Sequence, residues 1–172
     1  MTAVRERCGL TQRYFYEHFR SRDDLLGALF DTTFGAMFDQ VQTRVADAAP
    51  DLVEIARAAV SAAVDFFSAD RGKARLWIEA IGDPAIAAQK AKSVRALTEL
   101  AVTQAEAIRG PFSPAQRTRV VLAALIVIGG QTETTTELLA GHVDLLRDEY
   151  IDQLAHLFAL AVEDALVRGR ED

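Results

Sequence analysis

Apolar residues recur at three- and four-residue spacing along almost the whole chain, and this helical periodicity limits the possible folds more than any other feature. No stretch alternates polar and apolar residues for long, as a half-buried strand would. Glycine and proline, with 10 and 4 residues, are too scarce for a turn-rich β protein. The sequence therefore predicts an all-α fold of about eight helices.

Glycine, proline and aspartate mark the predicted helix ends, because glycine stops a helix well and proline fits its first turn. The predicted helices include a long one from about 22 to 48 and later ones over 84–109, 114–140 and 145–168, with two shorter helices between 50 and 82. The helix that begins at Pro114 is apolar on nearly every side from Val120 to Ile128. We therefore expect it to be buried all round.

The charge of the chain is distributed unevenly. The net charge is −6, but residues 1–22 contain five arginines and two glutamates and carry +3, so residues 23–172 carry −9. A basic N-terminal segment on an otherwise acidic chain is typical of a DNA-binding domain joined to a second domain. Chance clustering of charge gives the same pattern.

Signals for disulfides, metal sites and membrane spans are absent from the sequence. The single Cys8 excludes an intramolecular disulfide and a cysteine metal cluster, and no residues have metal-ligand spacing. We therefore expect no metal and no cofactor. The longest apolar run, Val120 to Gly130, is too short to cross a bilayer, and no signal peptide is visible. These features predict a cytoplasmic protein with no membrane partner.

The segment from Cys8 to Phe19 has the pattern of the second half of a helix-turn-helix. Gly9 fits the turn because glycine readily adopts a positive φ, and Thr11 fits the N-cap of the recognition helix that follows. Phe15 and Phe19 lie four residues apart and are expected to face inward. The alternative is an ordinary helical hairpin, and two tyrosines on the outer face of a short polar helix argue against it.

The outward-facing side chains of this segment have the chemistry needed to contact DNA. A recognition helix places its first turn in the major groove, where arginine bonds guanine and glutamine bonds adenine. Hydroxyl, imidazole and guanidinium groups suit phosphate oxygens. The residues predicted to face bases are Gln12, Arg13 and Tyr14, and those predicted to face phosphates are Thr11, Tyr16, His18 and Arg22.

The spacing of small, apolar and aromatic residues in this stretch is specific. The characteristic positions are Cys8-Gly9-Leu10-Thr11, Phe15-Tyr16-Glu17-His18-Phe19, Arg22 and Leu25-Leu26. This pattern resembles the DNA-binding motif of the tetracycline-repressor (TetR) family of bacterial regulators. The resemblance implies a DNA-binding domain over residues 1–22 and a helical ligand-binding and dimerisation domain over 23–172. It also implies a palindromic operator in double-stranded DNA as a partner.

The family places one further helix before the helix-turn-helix, whereas only three residues precede Val4 here. Two explanations stay open: the codons for that helix lie upstream of Met1, or the chain is truncated. We favour the first because the rest of the head is intact. Without the helix, Phe15 and Phe19 lack a packing partner, so we expect the 172-residue chain to bind DNA poorly.

The resemblance implies that the middle helices enclose a pocket for a small, largely apolar effector. The candidate lining residues are Phe34, Met37, Phe38, Phe66, Phe67 and Trp77, with Glu79, Gln131, Thr132 and Thr135 as polar candidates. An aromatic stripe at helical spacing is also typical of plain core. Solvent exposure, where the helix emerges from the core, explains the polar residues equally well.

The last two helices resemble the family's dimer interface, in which two helices from each subunit form a four-helix bundle. The candidate contact residues are Val121, Leu125, Gly129, Leu154, Leu157, Phe158, Ala161 and Val162. Burial within one subunit explains the same pattern. A homodimer also suits a palindromic site, because two heads match two half-sites.

These features together predict a ligand-responsive transcriptional regulator, a repressor that a small, largely apolar ligand releases from its operator. The second hypothesis is a ligand-binding or dimeric interaction protein that has lost DNA binding through N-terminal truncation. An enzyme is not expected, because the sequence contains no nucleophile–base pair, metal motif or phosphate loop.

Overall fold

The computed structural model describes residues 19–169, apart from the side chains of Glu79 and Ile81. This part of the chain contains six α-helices and no strand, which confirms the predicted all-α fold. The helices are α1 (Arg22–Ala46), α2 (Leu52–Ser68), α3 (Arg71–Ile81), α4 (Ala87–Arg109), α5 (Pro114–Leu139) and α6 (Arg147–Arg168). Residues 1–18 of the predicted helix-turn-helix lie outside the described residues.

Side-chain caps determine where most of these helices begin. The hydroxyl of Ser21 caps α1, and the carboxylates of Asp51 and Asp70 cap α2 and α3, each by accepting hydrogen bonds from backbone N–H groups of the first turn. Ser113 and Gln116 cap α5 reciprocally. These bonds satisfy backbone donors that have no partner within the helix.

Two helix starts differ from the predicted ones. The helix predicted from Pro84 begins instead as a 3₁₀ turn, Pro84–Ile86, which Asp83 caps, and α4 continues from Ala87. The last helix begins at Arg147 rather than at about 145. The chain first turns at Gly141, whose φ of +77° is a left-handed conformation that glycine adopts without strain.

The core consists of two large apolar clusters that share α2, and of a smaller one in which Val60 and Val64 of α2 pack with Tyr150 and Ile151 of α6. One large cluster lies where α2, α4, α5 and α6 meet, and its members Val102, Val120 and Val162 are completely buried. The other large cluster joins α1, α2 and α3 and contains Phe67 and Trp77. Because all three clusters draw on α2, this helix forms the centre of the bundle.

The expected burial of α5 on all sides is wrong within a single chain. Val120, Ala124 and Ile128 face the core, whereas Leu122 and Ile126 are 59% and 66% exposed. The helix therefore has an inner and an outer apolar face. Even so, neither α5 nor any other helix in the described part of the chain is long and apolar enough to cross a membrane.

Candidate ligand cavity

A partly enclosed cavity of about 100 Å³ lies between the helices, and residues from all six of them border it. Ala59 and Ala63 leave space on the α2 side because their side chains are small. The other bordering residues include Met37, Val41 and Val45 of α1, Phe67 of α2, Trp77 of α3, Leu97, Leu100 and Gln104 of α4, Gln131 of α5, and Leu154 and Phe158 of α6.

The part of the cavity wall that the structure describes is mostly apolar. Among the described side chains, none that borders the cavity is an aspartate, glutamate, lysine, arginine or histidine. The described polar side chains that border it are Gln104 on α4 and Gln131, Thr132 and Thr135 on α5. A few polar groups in an apolar wall are typical of sites that orient a small molecule.

Both threonine hydroxyls at the wall already have hydrogen bonds. The Oγ1 of Thr132 donates to the carbonyl oxygen of Ile128 at 3.1 Å. The Oγ1 of Thr135 lies 2.8 Å from the hydroxyl oxygen of Tyr150, which is itself buried. These bonds hold the polar side of α5 in place against its own backbone and against α6.

The indole of Trp77 differs, because its donor has no hydrogen bond. The residue is buried, and its Nε1 has no partner among the described residues. The ring centroids of Phe30 and Phe67 lie 5.7 and 4.7 Å from that of the indole. Aromatic packing thus fixes the ring, while the N–H, whose burial without a partner costs about 1–3 kcal/mol, stays unsatisfied.

The structure brings together part of the predicted ligand-binding set. Met37, Phe67, Trp77, Gln131 and Thr135 all border the cavity. The side chain of Glu79 lies outside the described part of the structure. The role of the five bordering residues in binding a ligand stays a prediction.

Three predicted lining residues do not border the cavity. Phe34 and Phe38 stack on each other on α1, with ring centroids 5.7 Å apart. Phe66 packs edge-on against Phe67, and the Nζ of Lys73 lies 4.1 Å from its ring centroid. These three rings serve packing in the single chain.

Sequence reasoning missed the wall that α4 and α6 contribute. Leu97, Leu100 and Gln104 of α4 and Leu154 of α6 border the cavity. Gln104 follows Leu97 and Leu100 at helical spacing, and a polar residue within an apolar stripe is a signal that the sequence carries.

Arg22 is the predicted DNA-contacting residue that the structure describes, since Thr11, Gln12, Arg13, Tyr14, Tyr16 and His18 lie outside the described residues. Arg22 is exposed at the start of α1, and its Nη1 lies 3.3 Å from a carboxylate oxygen of Asp23 and 3.2 Å from one of Asp83. The guanidinium thus links the start of α1 to the 3₁₀ turn before α4.

Asp83 receives one further stabilising contact at this link. Its carboxylate accepts a hydrogen bond from the backbone N–H of Ala85 at 3.0 Å. This bond, followed by the bond and charge of Arg22, lowers the pKa of Asp83 from its usual value.

The predicted dimer residues separate into two groups. Leu125 and Leu157 are exposed, and Val121, Gly129, Leu154 and Ala161 are half-buried. Phe158 and Val162 instead pack inside the single chain, where Phe158 borders the cavity and Val162 is completely buried. The assignment of this set to a dimer interface stays a prediction.

An exposed apolar surface lies on α5 and α6, which pack against each other. We call it the outer face, and its residues are Leu122, Leu125, Ile126, Leu157, Leu160 and Val167. Gly130 follows Ile126 by one helical turn and is also exposed. A Cβ atom at Gly129 or Gly130 meets nothing within 4 Å, so packing within the chain requires neither glycine.

Across residues 19–169, no group of three histidine, cysteine or acidic side chains is arranged to hold a metal ion. Comparison of the chain with known protein families, with curated proteins and with solved structures found no match.

Proposed function

We propose that this protein is a ligand-responsive, DNA-binding transcriptional regulator of the tetracycline-repressor type, which a small, largely apolar ligand releases from its operator. The observation that supports this most strongly is the position of the cavity. It borders α1 through Met37, Val41 and Val45, and α1 continues at its N-terminal end into the basic segment that carries the helix-turn-helix pattern.

A ligand in this cavity acts on DNA binding through the position of α1. The three bordering side chains lie on successive turns of α1, so a ligand that displaces them tilts or shifts the helix as a whole. The Arg22–Asp83 contact ties the start of the same helix to the 3₁₀ turn before α4. The ligand therefore favours one of two arrangements of the N-terminal DNA-binding segments. The free energy by which it shifts this equilibrium equals the difference between its binding free energies for the two arrangements.

The proposal includes a homodimer formed through the outer face. Several exposed large apolar side chains on two neighbouring helices suit an interaction site, and they suit a four-helix bundle with the same two helices of a second copy. Gly130 supports a second copy of the chain as the partner. Packing within the single chain does not require a glycine at this position, whereas the close approach of a helix from a second copy would. Two heads related by a two-fold axis match a palindromic operator.

In vitro selection from random duplex DNA tests the function. The 172-residue protein is used for the selection. We expect weak enrichment of an inverted repeat, and no enrichment contradicts the proposal.

A matched pair of arginine variants tests the role of the recognition helix. Arg13→Ala is expected to weaken binding to the enriched duplex about tenfold or more, because an arginine–guanine contact contributes about 1–3 kcal/mol. Arg95→Ala, at an exposed position on α4, is expected to leave the affinity unchanged. Equal losses in the two variants contradict base contact by Arg13.

A ligand-binding or dimeric interaction protein without DNA binding is the second candidate. The cavity and the outer face both belong to residues 19–169, and residues 23–172 carry a net charge of −9, which disfavours DNA contact by the body itself. This candidate predicts ligand binding and dimerisation with no enrichment of any duplex.

A further inference from the structure

We propose that an open groove at one end of the helical bundle is the entrance to the cavity, and that the ring of Phe67 is the gate between the two spaces. The inference rests on the proposed function, in which the cavity is the effector site. It adds the route by which a small molecule enters that site and the side chain that controls the entry.

The groove, of about 420 Å³, lies where the ends of α2 and α5 meet the starts of α3 and α6. Ser68, Arg71 and Arg147 on its rim are exposed to solvent. Val64 and Phe67, which also border it, are each only 2% exposed. The groove therefore leads from solvent into the core. Its other bordering residues are Ala74, Leu138, Leu139 and Leu145.

The groove continues the cavity along three helices. On each of them a residue that borders the cavity lies three or four positions from one that borders the groove. Such residues lie one above the other on the same helix face, about one turn or 5.4 Å apart. The two spaces are therefore neighbours along one seam of the bundle. The pairs, with the cavity residue first, are Val60 and Val64 on α2, Trp77 and Ala74 on α3, and Thr135 and Leu138 on α5.

Of the residues that the structure describes, Phe67 alone borders both spaces. Its ring centroid lies 5.3 Å from that of Phe66 and 4.7 Å from that of Trp77. These ring contacts favour the closed position. The open groove gives the ring space to rotate into, so a change of rotamer joins the groove to the cavity without a shift of the backbone.

The single tryptophan of the chain reports access to the cavity, because Trp77 borders the cavity and not the groove. Acrylamide, a small uncharged molecule, quenches indole fluorescence on contact. Its bimolecular quenching constant, obtained from fluorescence lifetimes of the full chain, therefore measures how often it reaches this side chain. Because Trp77 is 8% exposed, we expect a low constant for the native protein.

A label on the rim of the groove tests the route. Cys8→Ser removes the natural thiol, Ser68→Cys introduces one on the rim, and N-cyclohexylmaleimide then fills the mouth of the groove. Gln42→Cys, at an exposed position of α1 that borders neither space, carries the same label as the control. We expect the label at position 68 to lower the quenching constant about threefold or more, as closure of an entrance does. The label at position 42 should leave it unchanged.

Two matched leucine variants test the gate. The rings of Phe30 and Phe67 both pack against Trp77 and are both 2% exposed, but Phe30 borders neither space. Leucine keeps the position apolar and leaves part of the ring volume empty. Phe67→Leu is therefore expected to raise the quenching constant about threefold or more above that of Phe30→Leu, since only the first change opens the wall between the spaces. The labelled Ser68→Cys, combined with Phe67→Leu, should remove this increase.

The inference is overturned if the label at position 68 leaves the quenching constant unchanged, if the two leucine variants raise it alike, or if the label does not remove the increase in Phe67→Leu. Phe67→Met, a milder change, replaces Phe67→Leu if that variant does not fold. These measurements contain no DNA. A negative result here therefore leaves the DNA selection to decide the regulatory function, and failure of the selection leaves the entrance intact.

Discussion

Asp83 connects two segments that are distant in the chain. Its carboxylate caps the 3₁₀ turn through Ala85 and bonds to Arg22 at the start of α1. Both contacts favour the ionised carboxylate, which is why the pKa of Asp83 is lowered. A carboxylate whose pKa is lower in the folded state stabilises the fold above its usual pKa, and this contribution disappears as the pH falls through the folded-state value.

We therefore predict that Asp83→Ala lowers the thermal unfolding midpoint at about pH 7, and lowers it less at about pH 2, because the carboxylate loses charge as the pH falls. Thermal denaturation followed by circular dichroism at the two pH values measures the difference. Asp31→Ala, at an exposed position of α1, is the control. Equal losses for Asp83→Ala at both pH values would contradict a role for the charge.

At the residue scale, the sequence indicates which apolar positions face the interior, but it does not indicate which of them border the cavity. Met37, Phe34 and Phe38 belong to one broad stripe on α1, yet Met37 borders the cavity and the two phenylalanines stack elsewhere. One residue along a helix rotates the side chain by about 100°. Which part of a stripe faces an empty space depends on small residues of another helix, here Ala59 and Ala63, and no single-helix pattern contains that information.

At the element scale, local capping chemistry made the helix limits predictable. The aspartate before α2 and the Ser-Pro pair before α5 both mark observed starts. The two faces of α6 were not predictable in the same way. Val162 lies inside and Leu160 outside, and both residues are apolar, so the sequence pattern does not distinguish the core of one chain from a surface that contacts another.

We expect the cap of α2 to affect stability measurably, because α2 contributes to all three core clusters. The carboxylate of Asp51 accepts hydrogen bonds from the backbone N–H groups of Val53 and Glu54, at 2.9 and 3.2 Å. We predict that Asp51→Ala lowers the free energy of unfolding by about 1 kcal/mol, the usual value of such a cap. Urea denaturation measures this.

Asp39→Ala is the matched control for the cap, because Asp39 lies exposed in the middle of α1. Alanine is a better helix former than aspartate, so this variant should be unchanged or slightly more stable. A comparable loss of stability in both variants would show that the effect at Asp51 is not a capping effect.

At the scale of the whole molecule, the outer face is the feature that the single chain does not explain. Leu160 is 66% exposed on this face, whereas Leu29, on α1, is 45% exposed and lies away from it. We predict that the native chain, with a subunit mass of 18.8 kDa, elutes at about twice that mass in size-exclusion chromatography with light scattering.

Leu160→Glu is expected to shift the protein to the monomer mass, because a buried carboxylate at a helix–helix interface has no partner. Leu29→Glu introduces the same charge on α1 and should leave the dimer intact. A native protein that is monomeric at all concentrations, or two variants with the same mass, would exclude the outer face as a dimer interface.

Gly130 separates the effect of a substitution on the helix from its effect on assembly. A glycine inside a helix destabilises it by about 1 kcal/mol relative to alanine, and a Cβ atom at Gly130 or at Gly35 meets nothing within 4 Å in the single chain. Both Gly130→Ala and Gly35→Ala should therefore raise the free energy of unfolding of the monomer. If α5 approaches a second copy closely at this point, the methyl group of Gly130→Ala also weakens dimerisation, whereas Gly35→Ala does not. Sedimentation equilibrium of the two variants and the native chain over a range of concentrations measures the dimer dissociation constant, and identical constants would place Gly130 outside the contact.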